Sequence, residues 1–206
     1  MNRIRILIVD DHSILRMGLV SLLGTRDEVE VVGDASGGAS ALRKYPKLKP
    51  DVVIMDLVMP GMDGIETTRA LLEREPGARV MILTTFGTSE GISRALEAGA
   101  TGAVLKSASL TELLCAIRKT AAGERYVSPE IEGILSEDPP IQPLSPRQKQ
   151  ILDLLVRGFS NIDIARNLGI SLDMVKEHVI ALYGKLGAAN RTEATTIALR
   201  HNLISV

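Results

Sequence analysis

Five short apolar runs constrain this chain more than any other feature. They are Ile4–Val9, Val29–Val32, Val52–Met55, Val80–Leu83 and Ala103–Leu105. Between them Ser13–Leu23, Ala39–Tyr45, Ile65–Leu72, Ser89–Ala98 and Leu110–Ala121 carry apolar residues at helical spacing, with Gly24 closing the first and Pro46 stopping the second. Alternating strands and helices predict a parallel sheet covered on both faces. A strand buried on both faces has no solvent side, which is why these runs are nearly continuous rather than alternating.

In an open parallel sheet, ligands bind beyond the carboxyl ends of the strands. The first run ends at Asp10 and Asp11, the third at Asp56, the fourth at Thr84 and the fifth at Lys106. Three carboxylates, a hydroxyl and an ammonium are thus directed to one sheet edge. Crowded carboxylates repel, and a divalent cation with oxygen ligands relieves the repulsion. Mg2+ takes one or two carboxylates and keeps positions for water and phosphate. Beside such an ion Asp56 can act as a nucleophile on phosphorus. Lys106 and Thr84 would then meet phosphoryl oxygens. The plainer reading is a Lys106–Asp salt bridge beside an acidic patch. His12 reads as a helix-start residue rather than a phosphate carrier, and Met55, Met59 and Met62 as packing.

From Leu144 the pattern is helical throughout. Ser145, with Pro146 next and Gln148 three residues on, starts a helix to Arg157 that ends at Gly158. Ser160 starts a second, ended by Gly169; Ser171 starts a third, ended by Gly187; a fourth runs from about Thr192 to His201. Each such cap contributes about 1 kcal/mol. Residues 127–143 hold four prolines and four acids and read as a linker, with Ile131, Ile134 and Leu135 allowing a brief helix. In the third helix of the tail Val175, Val179, Leu182 and Leu186 form one apolar stripe, while Lys176, Glu177, Ile180 and Gly184 lie off it. That is the layout of a helix-turn-helix, or of a plain bundle with a solvated face.

Charge divides the chain the same way. Residues 144–206 carry 8 Lys and Arg against 5 Asp and Glu, and the remainder 16 against 20, which suggests two domains with different partners, that of the second anionic, although a mild basic excess is common on ordinary surfaces. The single Cys115 permits no internal disulfide and reads as a small apolar helix residue. The start shows no charged-then-apolar leader and no apolar run reaches the ~20 residues of a membrane span, so a cytoplasmic protein is expected.

The motifs ILIVDDH (Ile6–His12), DVVIMDLVMPGMDGIE (Asp51–Glu66), VMILTTF (Val80–Phe86) and ALEAGATGAVLKSAS (Ala95–Ser109) resemble the receiver domain of two-component response regulators. The resemblance implies a flavodoxin-like, doubly wound, five-stranded parallel sheet over residues 1–126. It implies Asp56 as acceptor of phosphate from a sensor histidine kinase. It implies Mg2+ on Asp10, Asp11, Asp56 and the backbone carbonyl of Val58, with Thr84 and Lys106 as the switch residues. One departure is Ala103, where receivers usually carry an aromatic side chain; Phe86 is a candidate substitute. Normal phosphorylation with atypical switching follows, and a tyrosine at this position is expected to strengthen phosphorylation-dependent dimerisation.

Residues 144–206 resemble the LuxR-type tail of NarL/FixJ-type regulators, through Leu144–Ser145, Gly158, Ser160–Asn161, Ile164–Ala165, Leu168, Ser171, Val175–Lys176, His178–Val179, Lys185–Leu186, Asn190–Arg191 and Glu193–Ala194. This implies a small four-helix domain binding double-stranded DNA, with Lys176, Glu177, Ile180, Lys185 and Arg191 as candidate contacts, and a homodimer when phosphorylated. Departures are Gln148 where Glu is frequent, Glu177 at a base-reading position, and Gly184 in place of a basic residue. The whole reads as a phosphorylation-switched transcription factor and not an enzyme. Two rival readings are a constitutive DNA binder with a degenerate receiver and a phosphohydrolase using an aspartyl-phosphate intermediate.

Overall fold

A computed structural model describes residues 3–85, 89–137, 143–201, 203 and 204. The chain divides into two compact units, Met1–Pro140 and Ile141–Val206.

In the first unit β1 (Ile4–Val9), α1 (Ser13–Gly24), β2 (Val29–Ala35), α2 (Gly38–Leu48), β3 (Val52–Asp56), α3 (Gly64–Arg74), β4 (Val80–Thr84), α4 (Ser89–Glu97), β5 (Gly102–Leu105), α5 (Leu110–Ala121), β6 (Tyr126–Val127) and α6 (Pro129–Glu137) follow one another. The sheet order is β2-β1-β3-β4-β5-β6, with every pair parallel. Alternate strand residues enter two different cores. Leu7, Val9, Val53, Met55, Ile82 and Ala103 pack in one with Ile65, Leu71, Ile92 and Ile131 from α3, α4 and α6. Ile6, Ile8, Val52, Ile54, Met81, Leu83 and Val104 pack in the other with Leu19 and Leu23 of α1 and Leu113 and Ile117 of α5. The doubly wound sheet is therefore as expected, with six strands among the described residues instead of five. The sixth, only two residues long, pairs through Gly102↔Tyr126 and Ala103↔Val127 and is too short to show a pattern in sequence.

Two other expectations need correction. Pro46 does not stop α2, which continues to Leu48 and ends where Lys49 adopts φ 45. A proline in the last turn removes one donor near an end that is finished by other means. The segment 127–143, read as a linker with room for a brief helix, contains that helix as α6, with Ile131 0% exposed, but its first residue also completes β6, which was not expected.

The second unit contains α7 (Pro146–Val156), α8 (Asn161–Leu168), α9 (Leu172–Leu186) and α10 (Arg191–Arg200). The caps act as the sequence indicates. Ser145 and Ser160 each form a reciprocal capping box, with Gln148 and Asp163, and Ser171 accepts from the Met174 N–H. Gly169 and Gly187 adopt φ 64 and 67, the left-handed turn that only glycine enters without strain. The apolar stripe Val175, Val179, Leu182 and Leu186 is buried against Ile151, Leu155, Ile164 and Ala198.

Candidate functional site

The strand order reverses beside β1, so β1 and β3 share a crevice at their carboxyl ends. Asp10 follows β1, Asp56 is the last residue of β3, Thr84 the last of β4, and Lys106 follows β5. The Lys106 Nζ lies 2.7 Å from Asp10 Oδ2 and 2.8 Å from Asp56 Oδ2, and all three side chains are at least 95% buried, with exposures of 5%, 3% and 4%. The salt bridge that the plainer reading foresaw is thus present, but it lies inside the crevice and involves two carboxylates at once. The Lys106 backbone N–H donates to the Thr84 carbonyl at 2.7 Å, which fixes the root of the lysine to the tip of β4. Thr84 itself is buried. Burial pushes the Asp56 carboxyl above its ordinary value against the opposing pull of Lys106. Burial alone would lower Lys106, but its hydrogen bonds to Asp10 and Asp56 outweigh that and raise it.

Asp11 sits at the rim. Its Oδ1 is buried and accepts no hydrogen bond, although His12 Nδ1 approaches to 3.0 Å. Asp10, Asp11, His12 and Asp56 each offer one donor atom, all within 4.8 Å of one another. Hard carboxylate oxygens, one of them without a partner, suit a divalent cation such as Mg2+. Val58 lies in the loop after β3 with its side chain exposed.

The loop is held by Gly64. A Cβ there would lie 2.1 Å from the Asp56 carbonyl oxygen and 2.9 Å from Leu57 Cα, so α3 can begin against the tip of β3 only without a side chain. The α3 N-terminus is locked by a capping box between Asp63 and Glu66. The sequence suggests a turn at Asp63–Gly64; the need for close backbone approach appears only in three dimensions.

His12 is the N-cap residue of α1, as expected of a helix start, but its side chain makes no cap bond and faces the carboxylates instead. Ala103 is fully buried in the same apolar cluster as Ile131 of α6, a helix that packs on β5. Phe86, considered as a substitute for the missing aromatic, lies outside the described residues.

In the second unit, Lys176, Glu177 and Ile180 are exposed on α9, with Ile180 at 71% and Lys176 paired to Asp173 at 3.1 Å. Lys185 turns inward, its Nζ donating to the Pro143 carbonyl at 2.7 Å and Gln148 Oε1 at 3.1 Å. Arg191 donates to the carbonyls of Leu155 at 2.5 Å and Phe159 at 2.8 Å, closing the end of α7. The residue taken as a departure, Gln148, is the acceptor that both caps α7 and holds Lys185. These internal duties of Lys185 and Arg191 leave no trace in the sequence.

Residues 6–118 match the response regulator receiver domain, and residues 142–198 match the bacterial regulatory proteins of the luxR family. The chain belongs to the LuxR-type response regulators. It is a DNA-binding response regulator that joins a receiver to a helix-turn-helix domain. It is 37% identical to the response regulator protein VraR of Staphylococcus aureus over 98% of this chain and 99% of that one. Among solved structures it is similar to the response regulator ChrA of a heme-sensing two-component system, at 42% identity, TM-score 0.59, and coverage of 99% and 100%. It is also similar to the response regulator RcsB in complex with DNA, at 27% identity, TM-score 0.71, and coverage of 96% and 98%. Among the described residues of this regulator no helix is long and apolar enough to cross a membrane.

Proposed function

We propose that residues 1–126 of this response regulator take a phosphoryl group on Asp56 from a sensor histidine kinase in the cytoplasm, and that residues 144–206 then bind DNA as part of a homodimer. The observation that carries the reading is the Lys106 ammonium held between Asp10 and Asp56 at the strand tips. Burial withholds hydration from the Asp56 carboxylate, and Lys106 opposes the upward push by favouring the ionised form. An Asp56 oxygen forms the new bond to phosphorus as the phosphorus–nitrogen bond to the kinase's histidine breaks. Lys106 then pairs with a phosphoryl oxygen and the Thr84 hydroxyl donates to another. Asp10, Asp11, Asp56 and the Val58 carbonyl would hold Mg2+, which when bound offsets the charge gathering on the phosphoryl oxygens.

The new group adds about −1.5 to −2 charges at the end of β3. Its pull on Thr84 is the readout. Because α6 packs on β5 and shares a core with Ala103, the motion of a ring at that position is replaced in this reading by movement of Thr84 that shifts the next helix, α4.

On the DNA side, α9 lies in the major groove with Lys176 toward phosphate, Glu177 toward a cytosine N4 amine and Ile180 toward a thymine methyl. Lys185 and Arg191 support that surface chiefly by bracing it. Two half-sites about one helical turn apart are expected. RcsB of Salmonella enterica serovar Typhimurium has been seen bound to a promoter with the phosphomimetic BeF3-. That precedent supports coupling of the two units here.

Intact-mass analysis with acetyl phosphate and Mg2+ tests the acceptor: one phosphoryl group should add to the parent and none to Asp56→Ala. Label on the Asp56→Ala protein at the parent's rate would sink the assignment. Selection of genomic DNA fragments with and without beryllofluoride tests the coupling and reports half-site spacing.

A further inference from the structure

The acid pocket contains one donor more than its carboxylates and Lys106 require. His12 is anchored by its backbone, whose N–H donates to Asp10 Oδ1 at 2.7 Å. Its ring makes no cap bond to α1. The Nδ1 atom stands 3.0 Å from Asp11 Oδ1, 3.4 Å from Asp10 Oδ1 and 3.9 Å from Asp56 Oδ2. Donors bound at about 2.0–2.1 Å lie about 3.3 Å apart on a tetrahedral ion and about 3.0 Å apart when adjacent on an octahedral one. The His12 distances bracket both values. Asp11 Oδ1, the nearest of the three acceptors, is buried and has no hydrogen bond to give up. The side chain of His12 is 66% exposed, so the imidazole reaches the pocket from the solvent side, where a cation arrives.

We propose that His12 is a further donor of this pocket, beside its three carboxylates, and that the pocket therefore binds imidazole-preferring divalent cations, represented by Zn2+, in competition with Mg2+. This rests on the reading of the carboxylates as a cation site. Oxygen donors suit Mg2+, and an added imidazole raises affinity for Zn2+ far more than for Mg2+. The consequence is regulatory. With His12 Nδ1 added, a Zn2+ that drew in the three carboxylates, now within 4.8 Å of one another and of the imidazole, would have its four protein ligands and leave no position for a phosphoryl oxygen. Mg2+ keeps such positions. His12 thus makes acceptance of phosphate sensitive to which cation occupies the pocket.

The test uses the full chain and its His12→Ala and Asp11→Ala variants. Calorimetric titration gives affinities for Zn2+ and Mg2+. Long-range 1H–15N spectra report each nitrogen of the three histidines separately. His12→Ala should weaken Zn2+ at least tenfold and Mg2+ less than threefold. Zn2+ should move the His12 Nδ1 resonance and Mg2+ should not. Asp11→Ala should weaken both ions. A His12 Nδ1 that does not respond to Zn2+, or equal losses for the two ions in His12→Ala, overturns the proposal while Asp11-dependent Mg2+ binding leaves the cation site standing. Mg2+ binding indifferent to Asp11→Ala would remove the cation site and the proposal with it.

Discussion

Replacing Lys106 by Met removes the cation held between two buried carboxylates, Asp10 and Asp56. Each of its contacts, at 2.7 and 2.8 Å, carries roughly 6 kcal/mol of gross attraction at an effective dielectric of about 20. Desolvation of three groups that are each 95% or more buried offsets most of this. Truncation of one partner exposes the rest, about 3–5 kcal/mol, because the remaining charges stay buried without a counter-ion. With a denaturant slope of about 2 kcal/mol per molar urea, the unfolding midpoint of the first unit should fall by roughly 1.5–2.5 M. The chain contains no Trp, so backbone circular dichroism, with hydrogen exchange at β3 to separate the two units, is the suitable readout.

The pH dependence has a defined sign. Lys106 is raised above 10.5, so its stabilisation in the parent is complete below pH 10.5 and is lost as pH rises through the folded value. Asp56 is raised above 3.8, so the folded state holds its proton more tightly and stability falls as pH rises from 3.8 through the raised value. Without Lys106 that window moves upward, so Lys106→Met should lose less stability at acid pH, where Asp56 holds its proton, than at neutral pH. Saturating Mg2+ should restore part of the loss by supplying a cation to the same oxygens. A variant within 0.5 kcal/mol of the parent at pH 8, with no response to Mg2+, would refute the reasoning.

Gly64→Ala should cost about 1–3 kcal/mol and slow acetyl phosphate labelling, since its Cβ must displace the Asp56 carbonyl 2.1 Å away; thermal unfolding and intact mass would show both. Ala103→Tyr should destabilise the first unit by more than about 1–3 kcal/mol and release α6, visible as faster hydrogen exchange at Ile131, rather than strengthen dimerisation. A fully folded Tyr variant with a tighter phosphorylated dimer would contradict that. Arg191→Ala should lower the stability of the second unit by about 2 kcal/mol through the lost bonds to Leu155 and Phe159. Lys176→Ala should leave stability unchanged but reduce the slope of log affinity against log salt by about 1 in a DNA-binding titration.

Much of the fold was legible because local physics determines it. Continuous apolar runs require strands covered on both faces, and the paired alternation of Ile6 and Ile8 with Leu7 and Val9 delivers that. The Ser and Gly boundaries of the tail were readable because caps act within a few residues. What was not readable has a shared cause in long-range contact. β6 is a strand only because β5 offers it partners, and the brief helix that Ile131, Ile134 and Leu135 allowed could be placed only by the burial of Ile131 against the sheet. Pro46 looked like a helix stop because its lost donor is local, whereas the end at Lys49 is set by a left-handed turn further on.

The candidate site divides along the same line. The sequence by itself determined which chemistry is present, since a carboxylate, hydroxyl or ammonium at a strand end is specified by one residue and the period of its strand. Only the tertiary structure decided who meets whom. Residues 10, 56 and 106 are far apart along the chain, and their approach depends on the strand order that places β1 beside β3 and β5 across β4. It also turned His12 from a cap into a neighbour of three acids, and Arg191 and Lys185 from free cations into internal braces. A side chain's identity is encoded locally, but the direction in which it points is set by everything packed around it.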